Sequence, residues 1–222
     1  MSRARKLGIW AGVLGPLGVV LVVVALVSVW TGYHGTTVAS DSMSPTYTQG
    51  QQLVYERMDG TGVRRGDVVL YSAPDRYQGA VVMQRVIGVG GDHIVCCTGE
   101  GEDERLLVNG KSLDEPYVPD GIADGTHQSY DVQVPEGRLF VLGDHRLNSR
   151  DSRAFPDDHG GTVPVSAVQG RVTDDYTVPA LLGVAALVGL LLALTGLGLG
   201  IAAVAVRKRV VVPPPPPWAV QV

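Results

Sequence analysis

Hydrophobic residues are concentrated at the two ends of the chain, where they form long uninterrupted runs. Neither residues 7–30 nor residues 178–206 contain a charged side chain. As a helix, each run is long enough to cross a hydrocarbon core of about 30 Å. We therefore predict transmembrane helices at residues 7–31 and 178–206, and one domain of residues 32–176 between them. In the second run, Gly196 and Gly200 have the spacing of close helix pairs and favour packing against the first.

The middle of the chain has a different pattern, with short apolar runs rich in Val, Leu and Ile that are separated by turn residues. This pattern is typical of β-strands, and Asn109-Gly110 is typical of a hairpin turn. We predict a mostly β fold, with an antiparallel β domain between N- and C-terminal transmembrane helices, and surface loops at residues 114–129 and 154–166. The predicted strands are residues 52–57, 67–72, 80–89, 93–97, 105–108, 130–134, 138–142 and 168–172.

Cations lie on the outer side of both apolar runs and predict the orientation of the chain. They are Arg3, Arg5, Lys6, Arg207, Lys208 and Arg209. Because Lys and Arg that flank a membrane span are retained in the cytoplasm, we expect both termini (residues 1–6 and 207–222) there and the middle domain outside the plasma membrane. The alternative is a cleaved signal peptide that ends near Ala39, but the first run exceeds the usual apolar region of about 7–15 residues.

Composition excludes some classes of function. The chain has 222 residues, a formal net charge of −4 and 45% hydrophobic residues, with a mean hydropathy of +0.16, which is too apolar for an ordinary soluble enzyme. Scattered arginines in an acidic domain argue against nucleic-acid binding. We expect no cofactor and no metal site.

Two short features leave alternatives open. Cys96 and Cys97 are adjacent; outside the cell they form a disulfide or pair with another chain, or they are two half-buried thiols in a strand. The tail at residues 210–222 contains five consecutive prolines. It is interpreted as an extended cytoplasmic tail, with a polyproline ligand as the alternative.

The segment after the first apolar run contains a candidate nucleophile. Ser42 is followed by Met43, an apolar side chain where turn chemistry prefers Gly, Asn or Asp. A serine in this setting indicates a chemical role for its hydroxyl. It lies about ten residues after the end of the run, which predicts a site near the membrane surface.

Ser40-Asp41-Ser42-Met43-Ser44-Pro45-Thr46 resembles the nucleophile box of bacterial type I signal peptidases, membrane-bound serine proteases that remove signal peptides from exported proteins. Three further segments are similar to other boxes of that family and occur in the same order: Arg65-Gly66-Asp67-Val68-Val69-Leu70, Arg85-Val86-Ile87-Gly88-Val89-Gly90-Gly91-Asp92 and Gly143-Asp144-His145-Arg146-Leu147-Asn148-Ser149-Arg150-Asp151-Ser152-Arg153. The resemblance implies a signal peptidase-like fold and a membrane serine endopeptidase. Its partners would be signal peptides of exported preproteins and membrane lipid.

The resemblance also implies roles for individual residues. Ser42 is the nucleophile, the Ser40 hydroxyl and the Ser42 N–H form the oxyanion hole, and Ser149 lies beside the base. Four charged residues of the last box support the active-site loop through ion pairs, or in the alternative form a solvated charge run. They are Asp144, Arg146, Asp151 and Arg153.

One position departs from the family, because Gln84 occupies the place of the catalytic lysine. An amide does not accept a proton at neutral pH, so Gln84 is not itself a base. One hypothesis gives this role to His145, since a histidine titrates near neutral pH. The others are a base supplied by a specialised substrate and an inactive homologue that binds signal peptides or partners another peptidase.

Overall fold

The computed structural model describes residues 3–99, 103–125 and 128–209, so the predicted proline-rich tail lies outside the described residues. The chain divides into two units, one made of the two terminal segments and the other of residues 32–174. Three α-helices are present among the described residues: α1 (Arg3–Gly32), α2 (Pro74–Tyr77) and α3 (Thr177–Arg209).

Helices α1 and α3 form the first unit and pack through small residues. A Cβ atom added to Gly18 would lie 2.4 Å from both Gly189 O and Ala193 N, and one added to Gly196 would lie 2.4 Å from Gly15 N. Only glycine allows such close backbone approach, as in tightly packed helix pairs. The predicted contact at Gly196 is confirmed. Both helices are long and apolar enough to cross a membrane, with mean hydropathies of 2.6 and 2.5.

The second unit contains the β-strands, which form two antiparallel sheets. A seven-stranded sheet has the order β1-β2-β11-β3-β4-β9-β10, and a four-stranded sheet has the order β7-β6-β5-β8. The strands are β1 (Tyr33–Thr37), β2 (Gln52–Arg57), β3 (Val68–Ser72), β4 (Val81–Val89), β5 (His93–Thr98), β6 (Arg105–Val108), β7 (Lys111–Ser112), β8 (Tyr130–Gln133), β9 (Arg138–Leu142), β10 (Val163–Pro164) and β11 (Val168–Val172).

Strands with a clear apolar pattern are predicted well, and polar edge strands are not. The bounds of β2, β6, β9 and β11 agree with the prediction, and those of β3, β4, β5 and β8 differ by one residue at an end. The strands that the sequence pattern missed, β1, β7 and β10, all lie at sheet edges. An edge strand has one unpaired side and little buried surface, so it needs no apolar alternation. The prediction of a surface loop at residues 154–166 was therefore wrong at Val163 and Pro164, which form β10.

The central strands position the site because they are buried. In β4, Val86 packs in one hydrophobic cluster with Val69 and Tyr71 of β3, whereas Ile87 packs in a second with Phe140 of β9. A strand buried on both faces holds its side chains in fixed directions. Gln84 lies on this strand, opposite Val69 of β3, and its placement is therefore set by the core.

Local features of the four-stranded sheet resolve two sequence predictions. Asn109 and Gly110 have φ values of 54° and 75° and join β6 to β7 as the predicted hairpin turn, where Val108 pairs with Lys111. Cys96 and Cys97 are joined by a disulfide, which selects one of the three alternatives.

Candidate active site

The loop that carries Ser42 is anchored by apolar side chains. Met43 is 1% exposed, and together with Val38 and Tyr47 it packs against Leu53 and Leu70 of the sheet. Tyr47 N donates to Met43 O at 2.9 Å, which closes the loop on itself. The apolar residue that is unusual for a turn therefore fixes the loop to the core, and the neighbouring serine is left at the surface of the domain.

Two serine hydroxyls lie together on this loop. Ser40 Oγ and Ser42 Oγ are 3.1 Å apart, with Ser42 half-buried and Ser40 exposed. Within the described part of the chain, Ser40 is the only hydrogen-bond partner of the Ser42 hydroxyl. The structure thus brings together the predicted nucleophile and the predicted oxyanion donor.

The last box contacts the serine loop through its backbone. His145 N donates to Ser42 O at 3.0 Å. A Cβ atom added to Gly143 would lie 2.6 Å from Ser42 O and 2.2 Å from Ser149 Oγ, so this position requires glycine. Sequence positions about a hundred residues apart therefore meet at one point.

A cleft of about 420 Å³ opens beside the two serines. Its walls come from the end of β1, the start of β4 and the last box. They are formed by Thr36, Thr37, Val38, Ala39, Ser40, Ser42, Leu70, Tyr77, Ala80, Val81, Val82, Met83, Gln84, Asn148 and Arg150. Most of these side chains are small or apolar, which suits a peptide with small apolar residues.

Gln84 lies in the wall of the cleft, and both atoms of its amide are engaged. The side chain is 3% exposed. Tyr71 OH donates to Gln84 Oε1 at 2.5 Å, and Gln84 Nε2 donates to Arg150 O at 2.9 Å. Burial raises the pKa of Tyr71, so this hydroxyl stays a proton donor at neutral pH. Tyr71 was missed by the sequence analysis, since only strand pairing places it beside Gln84.

Ser149 has a buried hydroxyl without a partner. Among the described residues, its Oγ makes no hydrogen bond, although it lies close to Gly143 and the Ser42 carbonyl. An unsatisfied buried hydroxyl is rare in proteins. The sequence resemblance places Ser149 beside the catalytic base. Among the described residues, no basic group bonds to its hydroxyl.

The His145 ring contacts the backbone of the serine loop. Its Nδ1 lies 3.3 Å from Asp41 O. Because a carbonyl oxygen only accepts, this nitrogen carries the proton in that contact. The described residues show no hydrogen bond between the His145 ring and the Ser42 hydroxyl, and His145 does not line the cleft. A role as base stays a prediction.

Two ion pairs hold the last box in place, and the carboxylate of the first also contacts the serine loop. Arg85 Nη2 contacts Asp144 Oδ2 at 2.6 Å, and Thr46 Oγ1 donates to the same oxygen at 2.5 Å. Arg153 Nε contacts Asp151 Oδ1 at 2.8 Å. The other oxygen of this carboxylate accepts from Gly143 N at 3.1 Å. Each carboxylate therefore joins an arginine to the backbone or side chain of the site.

A third pair lies beneath them. Arg146 Nη2 contacts Glu115 Oε1 at 2.5 Å, and its guanidinium also donates to the carbonyls of Gly143 and Ala123. Both side chains are almost completely buried. The sequence analysis did not assign a role to Glu115, which no local pattern connects to the box.

Comparison with known proteins identifies the family. The family model "Signal peptidase, peptidase S26" matches residues 12–176. The chain belongs to this signal peptidase family. It is 31% identical over 170 residues to signal peptidase I V of Bacillus subtilis (strain 168), which covers 71% of this chain and 94% of that protein. It is 33% identical over 157 residues to signal peptidase I of Bacillus caldolyticus, with 65% and 79% covered.

A solved structure is also similar, the crystal structure of a signal peptidase I from Enterococcus faecalis V583. It has 28% sequence identity and a TM-score of 0.40, and the match covers 51% of this chain and 98% of that one. The predicted family is thus confirmed by sequence comparison. The predicted mostly β fold with an apolar helix at each end is confirmed by the structure.

The cleft of this signal peptidase family member contains two titratable side chains among the described residues, Tyr77 and Arg150. Burial raises the pKa of Tyr77, and an arginine does not lose its proton in proteins. Neither accepts a proton at neutral pH. One group of possible metal ligands occurs among the described residues, Cys96, Cys97 and Glu104, and its two sulfurs are joined to each other.

Proposed function

We propose that the protein is a membrane-bound serine endopeptidase of the signal peptidase I type that removes signal peptides from exported preproteins. One observation carries the proposal: in a chain of this family, the hydroxyls of Ser42 and Ser40 lie 3.1 Å apart on the wall of a cleft of about 420 Å³. Relatives that cover most of the chain are named signal peptidase I.

Ser42 would act as the nucleophile. Its Oγ attacks the scissile carbonyl as its proton passes to a base, which is either His145 or a group of the substrate, and the base returns this proton to the leaving amine. The tetrahedral intermediate has an oxyanion that accepts hydrogen bonds from the Ser42 N–H and the Ser40 hydroxyl. Loss of one such donor costs about 3–4 kcal/mol of transition-state stabilisation. The amine of the mature protein then leaves, and water hydrolyses the ester on Ser42.

The cleft and the two apolar helices support signal peptides and membrane lipid as the proposed partners. Val38, Leu70 and Val82 line the cleft and suit the small side chains that precede a signal-peptide cleavage site. The two apolar helices α1 and α3 support the proposal that the protein lies in the plasma membrane, in contact with lipid. From the flanking cations we propose that both termini are cytoplasmic and that the β domain is extracytoplasmic.

A second candidate function is a homologue that binds signal peptides without cleaving them, or that partners another peptidase. It is motivated by Gln84, whose amide atoms are both bonded and which replaces the usual base. The two candidates differ in one measurable property, the turnover of a bound preprotein.

Purified full-length protein in detergent, mixed with a preprotein that has an Ala-x-Ala site, tests the proposal. We expect release of the mature protein, and loss of this product in Ser42→Ala. Ser112→Ala is the matched control, because Ser112 is exposed on β7 and does not line the cleft. Binding of the preprotein without any cleavage would establish the second candidate instead.

A further inference from the structure

Arg150 is the one charged residue among the described residues that line the cleft. Its side chain is exposed. A charge in the wall of a substrate cleft is suited to selecting substrates by their charge.

Arg150 differs from four other arginines of the domain in having no ion-pair partner among the described residues. These four are paired: Arg76 with Asp158, Arg85 with Asp144, Arg146 with Glu115, and Arg153 with Asp151. No carboxylate in the described part of the chain forms an ion pair with Arg150, whose guanidinium lies instead over the ring of Phe155, 5.0 Å from its centroid. The cation is therefore available to an external anion.

The surroundings of Arg150 hold it at the cleft. Its carbonyl accepts from Gln84 Nε2 at 2.9 Å and from Tyr77 OH at 3.0 Å. The Phe155 ring is itself fixed, since it packs edge-on against Tyr77 at 5.7 Å and carries the buried Arg76 guanidinium at 4.7 Å. The backbone of Arg150 is thus held at the cleft wall by the fold, and its exposed side chain lies over the Phe155 ring.

We propose that Arg150 is a specificity residue that favours substrates with an acidic side chain close to the scissile bond. Because Gln84 and Arg150 line the same cleft as Ser42, the acidic residue should lie within about three residues of that bond, a reach of about 10 Å along an extended chain. A substrate lysine at the same position is disfavoured by like charge. The inference rests on the proposed function, since it concerns the substrate of that cleft.

Peptide binding to the full-length Ser42→Ala protein in detergent tests the proposal without requiring turnover. Fluorescent peptides spanning an Ala-x-Ala site carry Glu, or Gln of the same shape, at each of the three positions on either side of the bond. At one or more positions we expect about three- to tenfold tighter binding of the Glu peptide, with a ratio that falls as salt is raised.

Charge variants of Arg150 sharpen the result. In the Ser42→Ala background, Arg150→Gln should bring the Glu-to-Gln ratio close to one, and Arg150→Glu should reverse it. Arg64 is the matched control, because it is an exposed arginine that does not line the cleft. Arg64→Gln and Arg64→Glu should retain the ratio.

The outcomes separate this inference from the proposed function. Peptides that bind with equal affinity whether they carry Glu or Gln overturn the role of Arg150, as does a Glu preference that survives Arg150→Gln. Neither result depends on cleavage. A preference that depends on Arg150, together with no cleavage by the wild-type protein, supports the inference and contradicts only the peptidase activity.

Discussion

The active site has two regions, the ion pairs that support it and the residues in and beside its cleft. The two regions differ in how many of their buried polar groups have hydrogen-bond partners. Asp144, Asp151 and Arg146 are buried, and each has several partners. The buried Ser149 hydroxyl has no partner among the described residues, and the amide of Gln84, in the wall of the cleft, bonds to Tyr71 and to the Arg150 carbonyl. The framework of a serine peptidase is therefore present in this chain.

The largest expected effect comes from breaking the framework. Arg146→Met removes the cation that pairs with the buried Glu115 carboxylate and the side-chain donor to the Gly143 carbonyl, and we expect a loss of about 3–5 kcal/mol in the free energy of unfolding. Denaturant unfolding of the detergent-solubilised protein measures it. Arg64→Met is the exposed control and should change stability by less than about 0.5 kcal/mol. A loss below about 1 kcal/mol in Arg146→Met would show that the pair does not support the fold.

The next effect concerns the cleft alone. In Gln84→Lys, a lysine amine can reach the region of the unpartnered Ser149 hydroxyl, and we expect cleavage of an Ala-x-Ala preprotein to rise by about 100-fold or more. The rate should increase with pH until the lysine is deprotonated, because only the neutral amine is a base.

Two companion variants test the reason for that gain. Gln84→Met also removes the amide but supplies no base, and we expect no gain from it. Adding Ser149→Ala to Gln84→Lys should reduce the gain, since the amine then loses its hydroxyl partner. An unchanged rate in Gln84→Lys would mean that the wild-type protein already has a base or that the site differs from the family in more than this residue.

A third prediction compares a buried ion pair with a half-exposed one. Asp92 accepts from Arg65, from Val89 N and from Asn109. Burial alone would raise the pKa of Asp92, but these hydrogen bonds outweigh it and the pKa is lowered. The side chain of Arg65 is 44% exposed, so solvent screens this ion pair. We expect the Asp92 carboxylate to contribute about 1 kcal/mol to the free energy of unfolding, which is less than the contribution of the buried Arg146 pair.

The pH dependence of this contribution has a definite sign. Because folding depresses the pKa of Asp92 below the unfolded value of about 3.9, its stabilisation is complete above that value and is lost as pH falls through the folded-state pKa. Asp92→Asn should therefore be less stable than the wild type at neutral pH, and the difference should disappear in acid. A difference that is the same at both pH values would exclude titration of this carboxyl as the cause.

The smallest effect is expected for His145→Gln. Its ring contacts the Asp41 carbonyl and not the Ser42 hydroxyl, so we expect the cleavage rate to change by less than about threefold, whereas loss of a general base costs about 100-fold or more. Initial rates across pH 5–8 provide the measurement. A large loss, together with a changed dependence of the rate on pH, would identify His145 as the base.

The helices and strands that could be predicted from the sequence are those that need apolar side chains on a buried face. The apolar runs predicted α1 and α3, and alternating or continuous Val, Leu and Ile predicted the central strands, since buried faces require such residues. Strand β1 has the sequence Tyr-His-Gly-Thr-Thr and lies at a sheet edge, where hydrogen bonding rather than side-chain burial holds it. No hydrophobic pattern therefore marks it.

The residues of the candidate site could be predicted only in part from the sequence. Ser42, Ser40 and Gln84 stand in motifs whose order along the chain identified the family. Tyr71 and Glu115 did not stand out, because their roles depend on strand pairing and on a contact between residues 31 positions apart. A short motif identifies residues that act close together along the chain. The residues that pair with a buried charge can come from any part of the sequence.

By itself the sequence determined the two apolar helices, the β character of the middle domain, the family, and the absence of lysine at position 84, since each is a property of residue type and order along the chain. Only the tertiary structure decided that both amide atoms of Gln84 are bonded, that the Ser149 hydroxyl has no partner among the described residues, and that Arg150 lines the cleft without an ion pair among those residues. The physical reason is that hydrogen bonds and ion pairs act over a few ångströms. Which groups come within that range is set by the packing of strands and loops that are distant in the sequence.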